Sequence, residues 1–302
     1  MAGSAMKIGT APISWGVCEL PDWGVMLPYE RVLDEMAGLG YAGTELGPWG
    51  YLPKDAAMLA TELRKRHLAL AGAFCPVTLH DPSRYKEQFA YAMDTCRLLA
   101  DLGAPVLVLA EAGDPDRERI AGRVRPNSPR FSDDEWKRFA DGANEIARRA
   151  KDMQLVTAFH PHAGTYVETP REIDELLRRT DASLVGLCLD TGHIFYGGGD
   201  PVALARRDPK RVRHVHLKDV SRERYEHALA RELDFTAAVG EDVFVPVGQG
   251  SVDMKGVIRT LRDAGFGGWL IVEQDIRIAA GSSRRPKDDA AMSYAFITAE
   301  LR

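Results

Sequence analysis

The stretch Val185–Pro201, VGLCLDTGHIFYGGGDP, carries the reading of the fold. An apolar run stops abruptly at Asp190, a histidine follows at position 193, and three glycines come next. A short apolar run without polar alternation suits a parallel strand covered on both faces. The segment after it, PVALARRDP, reads as a helix.

Outward from this unit the same plan repeats. Before it come KIGTAPISW (Lys7–Trp15), YAGTELG, LALAGAFCP, APVLVLAEA and LVTAFHPH; after it come VRHVHLKDV and GGWLIVEQD. Each is followed by a helical pattern. One such pattern opens on Ser132 with Glu135 three residues on, a capping box, and another runs from about Arg84 to Leu102. Eight β–α units in 302 residues predict one (β/α)8 TIM barrel spanning residues 1–302. Met6 reads as the native start, with MAGSA as a leader or disordered beginning. A doubly wound sheet is the competitor, but GTAPISWG after the first strand is not GxGxxG, and GGGDP lacks the Lys-Ser/Thr of a phosphate loop. Two connections are long, Ala112–Phe131 after strand 4 and Ser221–Ser251 after strand 7; both lie on the side where barrels build active sites.

Composition narrows the function. A net charge of −5 with pI near 5.9 leaves no basic footprint for nucleic acid or an anionic membrane. No apolar run is long enough to span a bilayer, and the first residues lack a secretory pattern, so a cytoplasmic protein is expected. Cys18, Cys75, Cys96 and Cys188 are far apart with no CxxC spacing, which argues for reduced thiols and against a structural zinc knuckle.

A barrel predicts that polar residues at the C-terminal strand ends converge. Those ends supply Glu45, His80, Glu111, His160, His162, Asp190, His193, His214, His216, Lys218 and Glu273, including six of the eight histidines. One such residue alone would be an ordinary surface or core group. Carboxylates and imidazoles closing strands 5 to 8 in succession call for a neutralising cation. Asp190, His216 and Glu273, with a further ligand from strand 5, form a mixed oxygen and nitrogen set suited to Mn²⁺, Co²⁺, Mg²⁺ or Zn²⁺. His214 and His216 share one side of their strand, His214 a layer deeper. His193 is expected to bend back to the substrate through the freedom of Gly192. Lys218 and Asp219 read equally as a substrate-facing cation with its partner or as an ion pair at the rim. Trp15, Trp49 and Phe195 have faces that stack on a sugar ring, though such aromatics belong as often to the core. Such a site suits keto-sugars and polyols, where a cation gripping a carbonyl and a neighbouring hydroxyl acidifies the α C–H.

With these residues assembled, the chain resembles the sugar-phosphate isomerase/epimerase superfamily of xylose isomerase-like TIM barrels, and within it the myo-inosose-2 dehydratase group. The matching stretches run nearly from end to end: GTAPISWG, GTELGPWGYLP, FHPHAGTYVET, GLCLDTGHIFYGGGDP, HVHLKDV and VPVGQGSVDM with FGGWLIVEQD. The resemblance implies a divalent metal, Mn²⁺ or Co²⁺ first, with Mg²⁺, Zn²⁺ or Fe²⁺ as alternatives. It places Asp190, His216 and Glu273 as ligands and His193 as a substrate contact. At strand 5 the superfamily's Glu is replaced by His160-Pro161-His162, so either His160 or Glu168 would complete the metal set. Epimerases of the superfamily use two metal-bound glutamates, and the loss of one favours a one-sided elimination of water. The expectation is therefore a lyase acting on a cyclic keto-polyol such as 2-keto-myo-inositol, with an isomerase, epimerase or keto-glycoside eliminase as the rival. His160, Glu273 and Lys218 are its expected catalytic residues. Glu45, His162, His193 and Trp15 are the expected substrate contacts, and a homo-oligomer the expected assembly.

Overall fold

The computed structural model describes residues 5–302, so the leader reading of MAGSA falls almost wholly outside the described residues. Eight parallel strands close into a barrel: β1 (Lys7–Thr10), β2 (Gly43–Glu45), β3 (Ala69–Val77), β4 (Val106–Glu111), β5 (Val156–His160), β6 (Val185–Asp190), β7 (Val212–Leu217) and β8 (Trp269–Val272). The last strand pairs with the first, Lys7 opposite Trp269, so the ladder has no free edge. Around it lie α1 (Tyr29–Leu39), α2 (Ala56–Lys65), α3 (Tyr85–Asp101), α4 (Asp133–Asp152), α5 (Pro170–Arg179), α6 (Pro201–Arg207), α7 (Met254–Asp263) and α8 (Pro286–Leu301).

Local chemistry sets the boundaries. The first strand stops at Thr10 rather than Trp15, because Pro12 has no N–H for the ladder and opens a 3₁₀ turn over Pro12–Trp15. The capping box at α4 forms as read: Ser132 Oγ accepts from Glu135 N at 3.3 Å, and the Glu135 carboxylate accepts from Ser132 N at 2.8 Å. Thr169 and Glu172 repeat the device at α5. Each such cap stabilises its helix by about 1 kcal/mol.

The strands are buried on both faces, and their two-residue period sorts the side chains. Outward residues such as Leu107, Leu109, Phe159 and Leu189 pack against the helices. Inward ones form smaller clusters, Ala71, Trp269 and Ile271 at the bottom and Val106, Val108, Ala158 and Cys188 above them. Trp269 fills the barrel floor because Gly43 faces it: a Cβ there would lie 2.7 Å from the indole ring. The inward period then delivers Glu45 above Gly43, His160 above Ala158, Asp190 above Cys188, His216 above His214 and Glu273 above Ile271.

Both long connections are built rather than irregular. Within Ala112–Phe131 a short helix covers Pro115–Arg119. Within Ser221–Ser251 helices cover Arg222–Ala230 and Phe235–Gly240, and Phe244–Val245 pairs antiparallel with Asp219–Val220. No described helix is long and apolar enough to cross a membrane.

Candidate functional site

At the C-terminal mouth of the barrel, His160, Asp190, His216 and Glu273 bring one ligand atom each to within 4.8 Å of one another, all four buried. His160 Nε2 lies 3.2 Å from Asp190 Oδ2, and His216 Nδ1 lies 3.1 Å from Glu273 Oε2 and 3.6 Å from Asp190 Oδ2. Asp190 divides its two oxygens. Oδ1 accepts the backbone N–H of His193 at 2.8 Å and caps the short helix Thr191–Tyr196, leaving Oδ2 for the cluster.

His160 and Glu168, the two strand-5 candidates, stand in different surroundings. His160 joins the cluster, whereas Glu168 accepts the backbone N–H groups of Gly122 (2.6 Å) and Gly164 (2.9 Å) beside Arg117. Glu168 thus ties the β4 and β5 connections together, and burial pushes its carboxyl up to about 7.

Beneath the cluster, Glu45 Oε1 accepts from His214 Nε2 at 2.7 Å and from His216 Nε2 at 3.0 Å. Glu45, an expected substrate contact, borders the cavity, and its place on the short β2 also puts its carboxylate under His216. That bond orients the His216 ring and turns its Nδ1 toward the Asp190 and Glu273 carboxylates. Burial opposes charge on His216, yet Glu273 and Glu45 outweigh it and hold the imidazole well above its usual pKa. Four buried carboxylates, Glu45, Asp190, Glu273 and Asp275, face a single ammonium, Lys218. Even with His216 protonated, the set is short of positive charge at the point where a divalent cation would sit, and such a cation would take the place of the Nδ1 proton.

Lys218 corrects another expectation. Its partner is not Asp219, whose carboxylate accepts backbone N–H groups of Val220, Gly248, Gly250 and Val252. Lys218 Nζ lies instead 2.5 Å from Asp275 Oδ1, 3.1 Å from Glu273 Oε2 and 3.8 Å from Asp190 Oδ2. Burial disfavours its charge, but these three carboxylates keep it ionised. Gly192 makes room for it: a Cβ there would meet the Lys218 stem at 2.6–3.0 Å, so glycine serves space and not backbone freedom, being inside a helix.

His193 Nδ1 accepts from Ala163 N at 3.2 Å, so the neutral ring carries its proton on Nε2, which points to Asp275 and Lys218. His162 stacks on it at 3.7 Å between centroids and donates from Nδ1 to Ala163 O. Burial holds both imidazoles neutral, His162 down at about 3 and His193 well below its usual value.

A cavity of about 620 Å³ opens above these groups, lined by Glu45, His160, His162, His193, Lys218 and Glu273 among others. Trp15 is not part of it: fully buried, it donates from Nε1 to Glu35 Oε2 at 2.8 Å, because the 3₁₀ turn after β1 swings it toward α1. His80 also lies apart, its Nδ1 3.9 Å from Glu111 Oε1 and its ring against Phe131. Phe195 faces Tyr225 and Arg222 rather than the cavity, whereas Trp49 does line it. Asp275, Trp23, Phe74 and Phe235 are lining residues that the sequence did not single out. Asp275 follows Glu273 by two residues but lies beyond the end of β8, so the strand period alone does not place it.

The sequence model of the xylose isomerase-like TIM barrel family matches residues 33–297. An inosose dehydratase of Lacticaseibacillus casei is 35% identical over 270 residues, 89% of this chain and 90% of its own length. One from Geobacillus kaustophilus is 36% identical over 274 residues, 89% of this chain and 87% of its own. A crystal structure of IOLI protein with a bound zinc atom superposes over 98% of both chains with a TM-score of 0.71 at 17% identity, a likeness of fold. The chain belongs to the xylose isomerase-like TIM barrel family and groups within it with the inosose dehydratases.

Proposed function

We propose that this protein is a metal-dependent lyase that removes water from a cyclic keto-polyol such as 2-keto-myo-inositol. The observation that carries the reading is the buried donor set His160, Asp190, His216 and Glu273 at the floor of the cavity, in a chain related over most of its length to inosose dehydratases. These four side chains would hold the cation, and the mixture of two carboxylates and two imidazoles suits Mn²⁺ or Co²⁺ before Mg²⁺, Zn²⁺ or Fe²⁺. When bound, it supplies Lewis-acid polarisation of a carbonyl and its neighbouring hydroxyl.

The chain's own groups do the rest. Glu273 borders the cavity, and its Oε1 makes no hydrogen bond to any described residue, in place to take the α C–H proton; His216 and Lys218 keep this carboxyl ionised, down at about 2. The C–H electrons form the new C=C bond as the β C–O bond breaks. Lys218 Nζ, steadied by Asp275, is in place to give the departing hydroxyl the proton that makes it water. His193 Nε2–H and His162 offer hydrogen bonds to the remaining hydroxyls, and the stacked rings with Phe235 keep bulk water from that wall. Base and acid thus stand on one side of the site. With His160 in place of a second glutamate, the arrangement favours elimination over two-base epimerisation.

Purified protein with Mn²⁺ or Co²⁺ and 2-keto-myo-inositol should generate an ultraviolet-absorbing 2-hydroxyenone, the enol of a cyclic 1,2-dione, and Asp190→Ala should lose both bound metal and turnover. Active epimerisation of a ketohexose with no dehydration would replace the reading by the epimerase one. Unchanged metal content and turnover in Asp190→Ala would overturn the site.

A further inference from the structure

The cavity is larger than the substrate class just proposed. At about 620 Å³ it has room for roughly twenty water molecules of ~30 Å³, whereas a six-membered keto-polyol has the bulk of roughly six. The donor cluster hangs from β5–β8. The spare volume lies on the opposite wall, built by the connections after β1 and β2 and by the first turns of α3.

That wall has the chemistry of carbohydrate recognition. Trp23 and Trp49 line it, Trp49 meeting Tyr91 edge-to-face at 5.9 Å between ring centroids. Aromatic faces that line a cavity pack on the C–H faces of a pyranose. Gln88 is 8% exposed, and its Oε1 accepts Thr78 N–H at 3.2 Å. Its amide NH₂ has no hydrogen-bond partner among the described residues, and Gln88 borders the cavity, so this donor is free for a ligand. Arg84 and Glu19 stand at the rim with no ion-pair partner among the described residues, a donor and an acceptor for hydroxyls. The rim carries Glu19, Asp114 and Glu118 against Arg84 alone, a balance that repels a phosphate or carboxylate and admits a neutral group.

We propose that this wall, with Trp49 and Gln88 at its centre, is a subsite for an uncharged glycosyl substituent, so that the protein accepts O-glycosylated keto-polyols as well as the free ring. The inference rests on the reading of the donor cluster as the place of the keto-polyol.

The test compares 2-keto-myo-inositol with its O-glucosylated derivative on the metal-loaded wild type, Trp49→Ala and Gln88→Ala, following turnover and tryptophan-fluorescence binding. Wild type should turn over both compounds. Each variant should lose about tenfold in kcat/KM on the glucoside, the equivalent of one good aromatic or hydrogen-bonding contact, and stay within about twofold on the free ring. Turnover of the free ring with no binding of the glucoside would overturn the subsite and leave the function standing, as would equal losses on both compounds. Trp49-dependent binding of the glucoside with no dehydration of either compound would keep the subsite and overturn the function. Failure to bind either compound would overturn both.

Discussion

The two halves of the barrel mouth are built on different principles. The ends of β5–β8 carry a dense ionic network in which nearly every polar atom faces another: His160, Asp190, His216, Lys218, Glu273 and Asp275 lie within 4 Å of a partner. The ends of β1–β3 carry aromatic and amide surface, with Trp23, Trp49, Tyr91 and Gln88 spaced for contact rather than charge. One half is arranged for bond-making and the other for grip. A barrel can change its substrate through the second without disturbing the first.

Glu45 is the exception that joins them, a β2 residue serving the β7 histidines. Its replacement is the strongest way to break the division. Glu45→Gln keeps the shape but weakens the carboxylate that orients His216, so metal affinity and kcat/KM should each fall about 10–100-fold, as for other residues that hold a ligand imidazole. Isothermal metal titration and steady-state kinetics check this. Losses under about twofold would mean that the halves are independent.

Glu111, on β4 between the halves, gives a smaller effect with a sign. Burial raises its carboxyl from the usual 4.5 to about 7, against the N–H groups of Tyr166 and Gly113 that favour ionisation. The folded state therefore holds this proton more tightly than the unfolded chain. The stability contributed is full below pH 4.5 and is lost as pH rises through about 7. Relative to Glu111→Gln, wild type should lose on the order of 1–2 kcal/mol between pH 5 and pH 8 in urea unfolding. A flat difference would place the group in a wetter setting than its burial indicates.

The smallest effect separates Trp15, in the core, from Trp49, in the cavity wall. Trp15→Phe removes the bond to Glu35 and should cost about 1 kcal/mol in stability while kcat/KM holds within about twofold. A raised KM would move Trp15 from the core to the gripping wall.

The pattern of legibility follows the same division. Asp190, His216, Glu273 and His160 were readable because a strand's two-residue period carries an inward residue to the rim without knowledge of the helices. The roles of Glu45 and Lys218 were not, since they depend on which strands face each other across the closed barrel and on the path of the chain beyond β8 to Asp275. Trp15 misled because sequence shows a strand end but not the 3₁₀ turn that rotates it outward. Gln88, Trp23 and Tyr91 were silent: in sequence they are ordinary helix and loop residues, and only closure of the barrel sets them opposite the donor cluster. His160 and Glu168 were equal candidates in the sequence, which does not show the two backbone amides that Glu168 already accepts.

The division of labour within Asp190 has a thermodynamic consequence. A carboxylate free to rotate must surrender that freedom when a ligand arrives, which subtracts from affinity. Here one oxygen is already committed to the N-terminus of Thr191–Tyr196, so the torsion of the other is fixed when the chain folds. The ordering cost belongs to folding and not to ligation, and the chain enters binding preorganised at its central donor. Moving this site to another scaffold would require transplanting the strand-to-helix junction together with the four side chains.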